Sequence, residues 1–194
     1  MKLSIELACK SSQAWIDTVM NDFDSFLQDH ANCERKASAM AMSFVAKYPD
    51  RVEIIPELIE TGIEELEHFK AVYSVMEKRG VKLPAEMGQD IYVKQLIDHC
   101  RSGREDRFMD RLLLASIVEC RGAERFRMVY EALEPGELKS FYHNLWASEA
   151  KHGNIFVKMA LIYFDRDSTY KRLEELNLIE AEVLSSLPLQ PALH

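Results

Sequence analysis

Apolar residues recur every three to four positions along almost the whole chain, and the two-residue alternation of a half-buried strand is nearly absent. This stripe predicts long helices at about 13–48, 52–79, 105–133 and 136–164, a short one at about 89–101 and a closing one at about 168–186. A break in the first is expected near Asp22. Helix-ending residues fall between these segments: Pro49 and Pro56 around one turn, Gly80 and Pro84 after the next helix, Gly103, the pair Pro135-Gly136, and Pro188 and Pro191 in the tail. Long helices joined by short turns form antiparallel hairpins, and the segment from Gly80 to Arg104 must carry the chain back between two of them. The expected fold is all-α: a four-helix bundle with one long crossover and extra short helices, filling a single domain over residues 1–194.

Two of these helices carry the same four-residue pattern. Glu65-Leu66-Glu67-His68 lies in the second long helix and Glu149-Ala150-Lys151-His152 in the fourth. Residues three apart share a helix face, so each Glu and His can grip one metal ion from the same side. One such pattern is expected by chance in a chain of this size, but two copies use two of only 6 histidines. Both copies lie in the apolar stripe, the first among Ile54, Leu58, Phe69, Val72 and Met76, the second among Leu138, Leu145, Phe156 and Met159. The partner helices each place one Glu in an equivalent stripe. Glu34 sits among Phe23, Phe26, Ala37, Ala41 and Phe44, and Glu119 among Leu112, Ala115, Gly122, Phe126 and Val129.

Register supports the pairing. Glu34 lies 15 residues before Pro49 and Glu65 lies 16 after it; Glu119 lies 16 before Pro135 and Glu149 lies 14 after it. At 1.5 Å per residue the groups of each hairpin reach similar heights. The halves repeat, with an offset of 85 between Glu34 and Glu119 and of 84 between Glu65 and Glu149 and between His68 and His152. Four buried carboxylates would cost several kcal/mol each if uncompensated. A pair of divalent cations resolves this, with Glu65 and Glu119 or Glu149 as candidates to bridge. Oxygen donors with two imidazoles suit iron or manganese, and the absence of ligand cysteines argues against structural zinc.

Composition narrows the classes further. A chain of 194 residues with 47% apolar and 29% charged residues is neither disordered nor an integral membrane protein, having no apolar run of membrane length. No secretory signal is readable in residues 1–10, so the cytoplasm is the expected compartment. Cys9, Cys33, Cys100 and Cys120 form no CxxC pair and are expected to be reduced thiols. The formal charge of −8 speaks against a general nucleic-acid binder, but two ferrous ions would cancel four carboxylates and bring it to −4.

Glu34, Glu65-x-x-His68, Glu119 and Glu149-x-x-His152 together resemble the ferritin-like di-iron carboxylate superfamily at all six ligand positions. The crossover, the added helix before Arg104, and the segments Cys33-Glu34-Arg35-Lys36-Ala37, Glu64-Glu65-Leu66-Glu67-His68-Phe69 and Ser148-Glu149-Ala150-Lys151-His152 look like one family within it, the bacterial tRNA 2-methylthio-N6-isopentenyladenosine hydroxylases. The resemblance implies a non-haem di-iron monooxygenase with dioxygen as co-substrate, acting on the modified adenosine beside the anticodon. It implies tRNA as partner, met at its anticodon loop. No rubredoxin-like segment accompanies the bundle, so an external reductase or ferredoxin must supply electrons. The alternatives are a rubrerythrin-like peroxide-reducing or ferroxidase protein and a non-enzymatic iron store; oligomeric state is left open.

Other residues carry weaker expectations. Arg101, Arg104, Arg107 and Arg111, with Arg121, Arg125 and Arg127 further along the same helix, form the densest basic run; Arg101, Arg104 and Arg107 are the candidates to hold tRNA. Interleaved Glu105, Asp106 and Asp110 fit an ordinary salt-bridged surface as well. His30 reads as a satisfied core histidine, with a role beside the metals as the alternative. Gly122, Ala37 and Ser116 either leave room beside the metals or let helices pack closely, while Glu64, Glu67 and Glu124 read as solvated and Trp15 and Trp146 as core filling.

Overall fold

In the computed structural model, which describes residues 3–86 and 88–194, Asp22 ends one helix and starts the next. Its carboxylate accepts the Ser25 N–H at 3.2 Å, an N-cap that splits the first long stripe into α1 (Gln13–Asn21) and α2 (Phe23–Lys47). Pro56 opens α3 (Ile55–Arg79), and Gly80 closes it in the left-handed region at φ 73°. Asp90 caps α4 (Ile91–Asp98) by accepting the Val93 N–H at 2.9 Å. Beyond Gly103, at φ 92°, run α5 (Arg104–Ala132), α6 (Glu137–Tyr163) and α7 (Arg166–Ser186), the last capped by Asp165. Every expected helix is present within a few residues, and no strand occurs among the described residues.

The chain gathers into two compact units. One comprises residues 17–88 and 190–193 and is built on the α2–α3 hairpin. Phe26, Leu27, Ala31, Ala41 and Phe44 of α2 and Leu58, Val72 and Met76 of α3 are among its buried apolar side chains. At the open end Arg79 donates to Asp24 at 2.9 Å.

The other unit comprises residues 1–16, 89–189 and 194, with the α5–α6 hairpin, α4 and α7. Its core includes Phe108, Leu112, Leu113, Phe126, Val129, Tyr142, Phe156 and Leu176. The N-terminal segment is fixed onto it by polar side chains: Asn154 Oδ1 accepts the N–H groups of Leu3 and Ser4 at 2.7 and 3.0 Å, and Asn177 bonds to Ala8 and Glu6. These amides satisfy backbone groups that no helix would otherwise serve.

Candidate metal centre

In the α2–α3 hairpin, Glu34 is 4% and Glu65 0% exposed. His68 Nδ1 lies 3.4 Å from Glu65 Oε2 and 3.8 Å from Glu34 Oε2. One donor atom from each of Glu34, Glu65 and His68 falls within 4.8 Å of the others. Close helix approach sets this up. Ser38 Oγ donates to the Gly62 carbonyl at 2.7 Å, and a Cβ on Gly62 would meet Met42 Cε at 3.0 Å.

The α5–α6 hairpin repeats the arrangement with its own contacts. Donor atoms of Glu119, Glu149 and His152 lie within 4.8 Å of one another, and His152 Nδ1 is 3.1 Å from Glu149 Oε2. All three side chains are buried. Ser116 Oγ donates to the Gly153 carbonyl at 2.6 Å, and a Cβ on Gly153 would come within 2.8 Å of Cys120 Sγ, so α6 needs glycine directly after His152. In the first hairpin the serine–glycine bond lies on the turn side of the carboxylates; in the second it lies on the far side.

Each hairpin thus presents two buried carboxylates and one imidazole, buried in the case of His152 and partly exposed in that of His68. That donor set fits a hard or borderline divalent ion such as iron or manganese, with oxygen ligands in excess and no thiolate. Burial of so much negative charge is costly without a cation among the donors.

The remaining candidates divide. His30 is fully buried with Nε2 2.6 Å from Glu34 Oε1. Gly122, one turn beyond Glu119, is buried, yet a Cβ there would meet nothing within 4 Å, so it marks open space rather than close packing. Ser116, in contrast, serves helix contact. Arg104 is exposed and Arg107 half-buried. Arg101 grips Asp110 at 2.7 Å and Asp106 at 3.0 Å, and Arg172 reaches Asp110 from α7 at 2.9 Å.

Arg121 and Arg125 leave the basic surface altogether, because both are buried. Arg121 pairs with Glu180 and Glu124, and Arg125 donates to Ser11 Oγ at 3.0 Å with its guanidinium 4.5 Å from the Trp15 ring centroid. Burial penalises the charged Arg121, but hydrogen bonds and attraction from Glu180 outweigh it and hold the group above its ordinary value. Burial, reinforced by repulsion from Arg121, lowers Arg125 to about 10. Glu124 is accordingly an internal acceptor for Ser11 and Arg121 rather than a solvated side chain, whereas Glu64 and Glu67 are exposed as expected. Trp15 is core, while Trp146 is half-buried and stacks on Tyr130. Nothing in local spacing announces the Arg121–Glu180 pair, since its members are 59 residues apart.

The family model for tRNA-(MS[2]IO[6]A)-hydroxylase (MiaE) matches residues 2–194. The chain belongs to that family. A relative from Pseudomonas putida, named tRNA 2-(methylsulfanyl)-N(6)-isopentenyladenosine(37) hydroxylase, is 34% identical, with 93% of this chain and 87% of that protein covered. A protein of the same name from Salmonella typhimurium is 24% identical over 93% of this chain and 84% of its own length. Among solved structures, a Synechococcus protein with aldehyde deformylating oxygenase activity is similar at a TM-score of 0.90 and 30% identity, covering 96% of this chain and 93% of that one. The fold class is therefore all-α and ferritin-like, and family membership makes the chain an enzyme of the hydroxylase class. Among the described residues, no helix is long and apolar enough to cross a membrane.

Proposed function

We propose that this enzyme hydroxylates the isopentenyl group of 2-methylthio-N6-isopentenyladenosine next to the anticodon of tRNA, using dioxygen and external electrons. Two irons are held by Glu34, Glu65, His68, Glu119, Glu149 and His152, and the chain works as one ferritin-like domain in the cytoplasm, where tRNA is met. The observation that carries the reading is the doubled half-site: two carboxylates and an imidazole gathered within 4.8 Å in each hairpin, in a chain matched end to end by a tRNA hydroxylase family. The iron pair supplies activation of dioxygen, so that one oxygen atom enters a C–H bond and the other leaves as water at the expense of two electrons and two protons.

The protein's own contributions are position and exclusion of water. The buried apolar faces around the carboxylates keep bulk water away, and the open space at Gly122 offers room for a branched apolar tail one turn from Glu119. A base can bring such a tail to a buried site only when its substituent is extruded, which a single-stranded loop permits at low cost. A peroxide-reducing or iron-storing role is disfavoured by the names of the relatives, which are hydroxylases and an oxygenase.

Mass spectrometry of digested tRNA from cells with and without the gene tests this: a gain of one oxygen on the prenylated adenosine, dependent on the gene, is expected. Iron analysis should give close to two per chain, falling sharply in a His68→Ala, His152→Ala double variant. Unchanged tRNA, or rapid turnover of hydrogen peroxide with no oxygenated product, would overturn the reading.

A further inference from the structure

The exposed large apolar side chains are not scattered. Met42 of α2 and Ile59, Ile63, Leu66 and Tyr73 of α3 are 40, 41, 48, 51 and 38% exposed, and all belong to the unit built on the α2–α3 hairpin. On α3 their spacing of 4, 3 and 7 puts them in one line along the helix, beside the buried line of Leu58, Glu65 and Val72. On α2, Ala39, Met42 and Ala46, all exposed, form the neighbouring line. Contacts across the hairpin set the register: Glu34 lies beside His68, and Ser38 beside Gly62. Ala39 is therefore level with Ile63, and Arg35, one turn before Ala39, is level with Glu67, one turn after Ile63. Arg35 and Glu67 are both exposed. Among the described residues Arg35 donates to Asn32 Oδ1 at 2.8 Å and meets no carboxylate, and Glu67 meets no cation.

We propose that this face is the interface of a homodimer, in which α2 of each copy packs antiparallel on α3 of the other about a two-fold axis parallel to the hairpin. Rotation about such an axis keeps every residue at its own height and sets α2 opposite α3. Ile63 of each copy then lies over Ala39 of the other, a large side chain against a small one, and Arg35 of each lies beside Glu67 of the other. The face is self-complementary in shape and in charge, as an isologous contact requires. Two 25-residue helices side by side give a face about 37 Å long and roughly 20 Å wide, of the order of the ~800 Å² per partner that a stable interface covers. An apolar centre with charges at its edge is the usual anatomy of such contacts. Glu60, Glu64 and Glu67, exposed along the same side of α3, would repel the phosphates of a nucleic acid, so a second copy fits this face better than RNA does.

The test is analytical ultracentrifugation of the iron-loaded full chain over a concentration series. The parent is expected to pass from 22.4 kDa to twice that mass with a dissociation constant of about 1–10 µM. Ile63→Glu sets a charge in the apolar centre twice, once on each side of the axis, and should raise that constant at least about a hundredfold. Arg35→Glu and Glu67→Arg should each raise it about tenfold by placing like charges together. Mixing these two variants separates a pairing between copies from one within a chain. Each variant then meets the opposite charge on the other, so the mixture should dimerise about as tightly as the parent, whereas mixing cannot restore a contact made inside one chain. Circular dichroism checks the fold of each variant, and Ala39→Glu, exposed on the other helix, replaces Ile63→Glu if that chain does not fold. A parent that stays at 22.4 kDa up to about 100 µM overturns the proposal. So does a dimer that Ile63→Glu or Ala39→Glu leaves intact, or a pair of charge variants that mixing fails to rescue. A monomeric parent whose binding to a reductase or to tRNA is weakened by Ile63→Glu also overturns it, and gives the face to that partner instead.

Discussion

Arg121 and Glu180 meet as a fork, Nε to Oε1 at 2.8 Å and Nη2 to Oε2 at 2.9 Å, with neither side chain exposed. Tyr92 adds a hydrogen bond to the same carboxylate at 2.8 Å, and Arg121 also reaches the Cys9 carbonyl at 2.7 Å. One guanidinium therefore joins α5 to α7 and to the N-terminal segment. Removing only Glu180 leaves the buried Arg121 with Glu124 as its remaining carboxylate partner and Tyr92 without its acceptor, so Glu180→Ala should cost about 3 kcal/mol in urea unfolding. An Arg121→Met, Glu180→Leu double variant should cost much less than the sum of its singles. Strict additivity would show that the pair does not act as a unit.

Gly122 separates room from packing. Alanine at a buried helical position with nothing within 4 Å of its Cβ should fold at least as well as the parent, gaining about 0.5–1 kcal/mol from the lost glycine entropy. Gly122→Leu should still take up iron but hydroxylate prenylated tRNA at least tenfold more slowly, since the side chain fills the space assigned to the substrate tail. Full activity of Gly122→Leu would place the tail elsewhere.

Acid should loosen the crossover end through Asp110. Burial alone pushes this carboxyl up, but hydrogen bonds from Arg172 and Arg101 outweigh burial and hold it below the ordinary range. A depressed folded value means that its stabilisation is complete above the unfolded value of about 4 and is lost as pH falls through the folded value. Asp110→Asn should be less stable than the parent at neutral pH by roughly 1–3 kcal/mol, and the gap should narrow below about pH 4. A gap that is constant with pH would show that the charge of Asp110 contributes nothing.

The basic residues at the start of α5 offer a test of tRNA docking. Reversing Arg104 or Arg107 to Glu should raise the apparent KM for whole tRNA more than for the isolated nucleoside. Removing one arginine–phosphate pairing should reduce the salt slope of binding by about 1. Arg101 is unsuited to this test, because its reversal would set like charges against Asp110 and Asp106. Equal use of tRNA by parent and variants at low salt would move the docking surface away from α5.

The periodic apolar stripe and its Pro and Gly punctuation determined the helices, because a helix end is a local event: Asp22, Pro56, Gly80 and Asp165 cap or break with groups from their own few residues. The Glu–His pairing within each four-residue pattern was legible for the same reason, since i,i+3 spacing puts Glu65 with His68 and Glu149 with His152 whatever else the chain does. Burial and long-range partners are different in kind. Arg121 and Arg125 read as members of a surface cluster until α7 and residues 9–11 supplied Glu180, Cys9 and Ser11 to enclose them. Gly122 and Gly153 are the same residue type on the two helices of one hairpin, yet one borders open space and the other a cysteine sulfur at 2.8 Å. Spacing alone could not separate these outcomes. The sequence by itself settled what each helix offers along its own faces, and tertiary packing decided which polar groups are enclosed, because burial depends on neighbours brought together from distant parts of the chain.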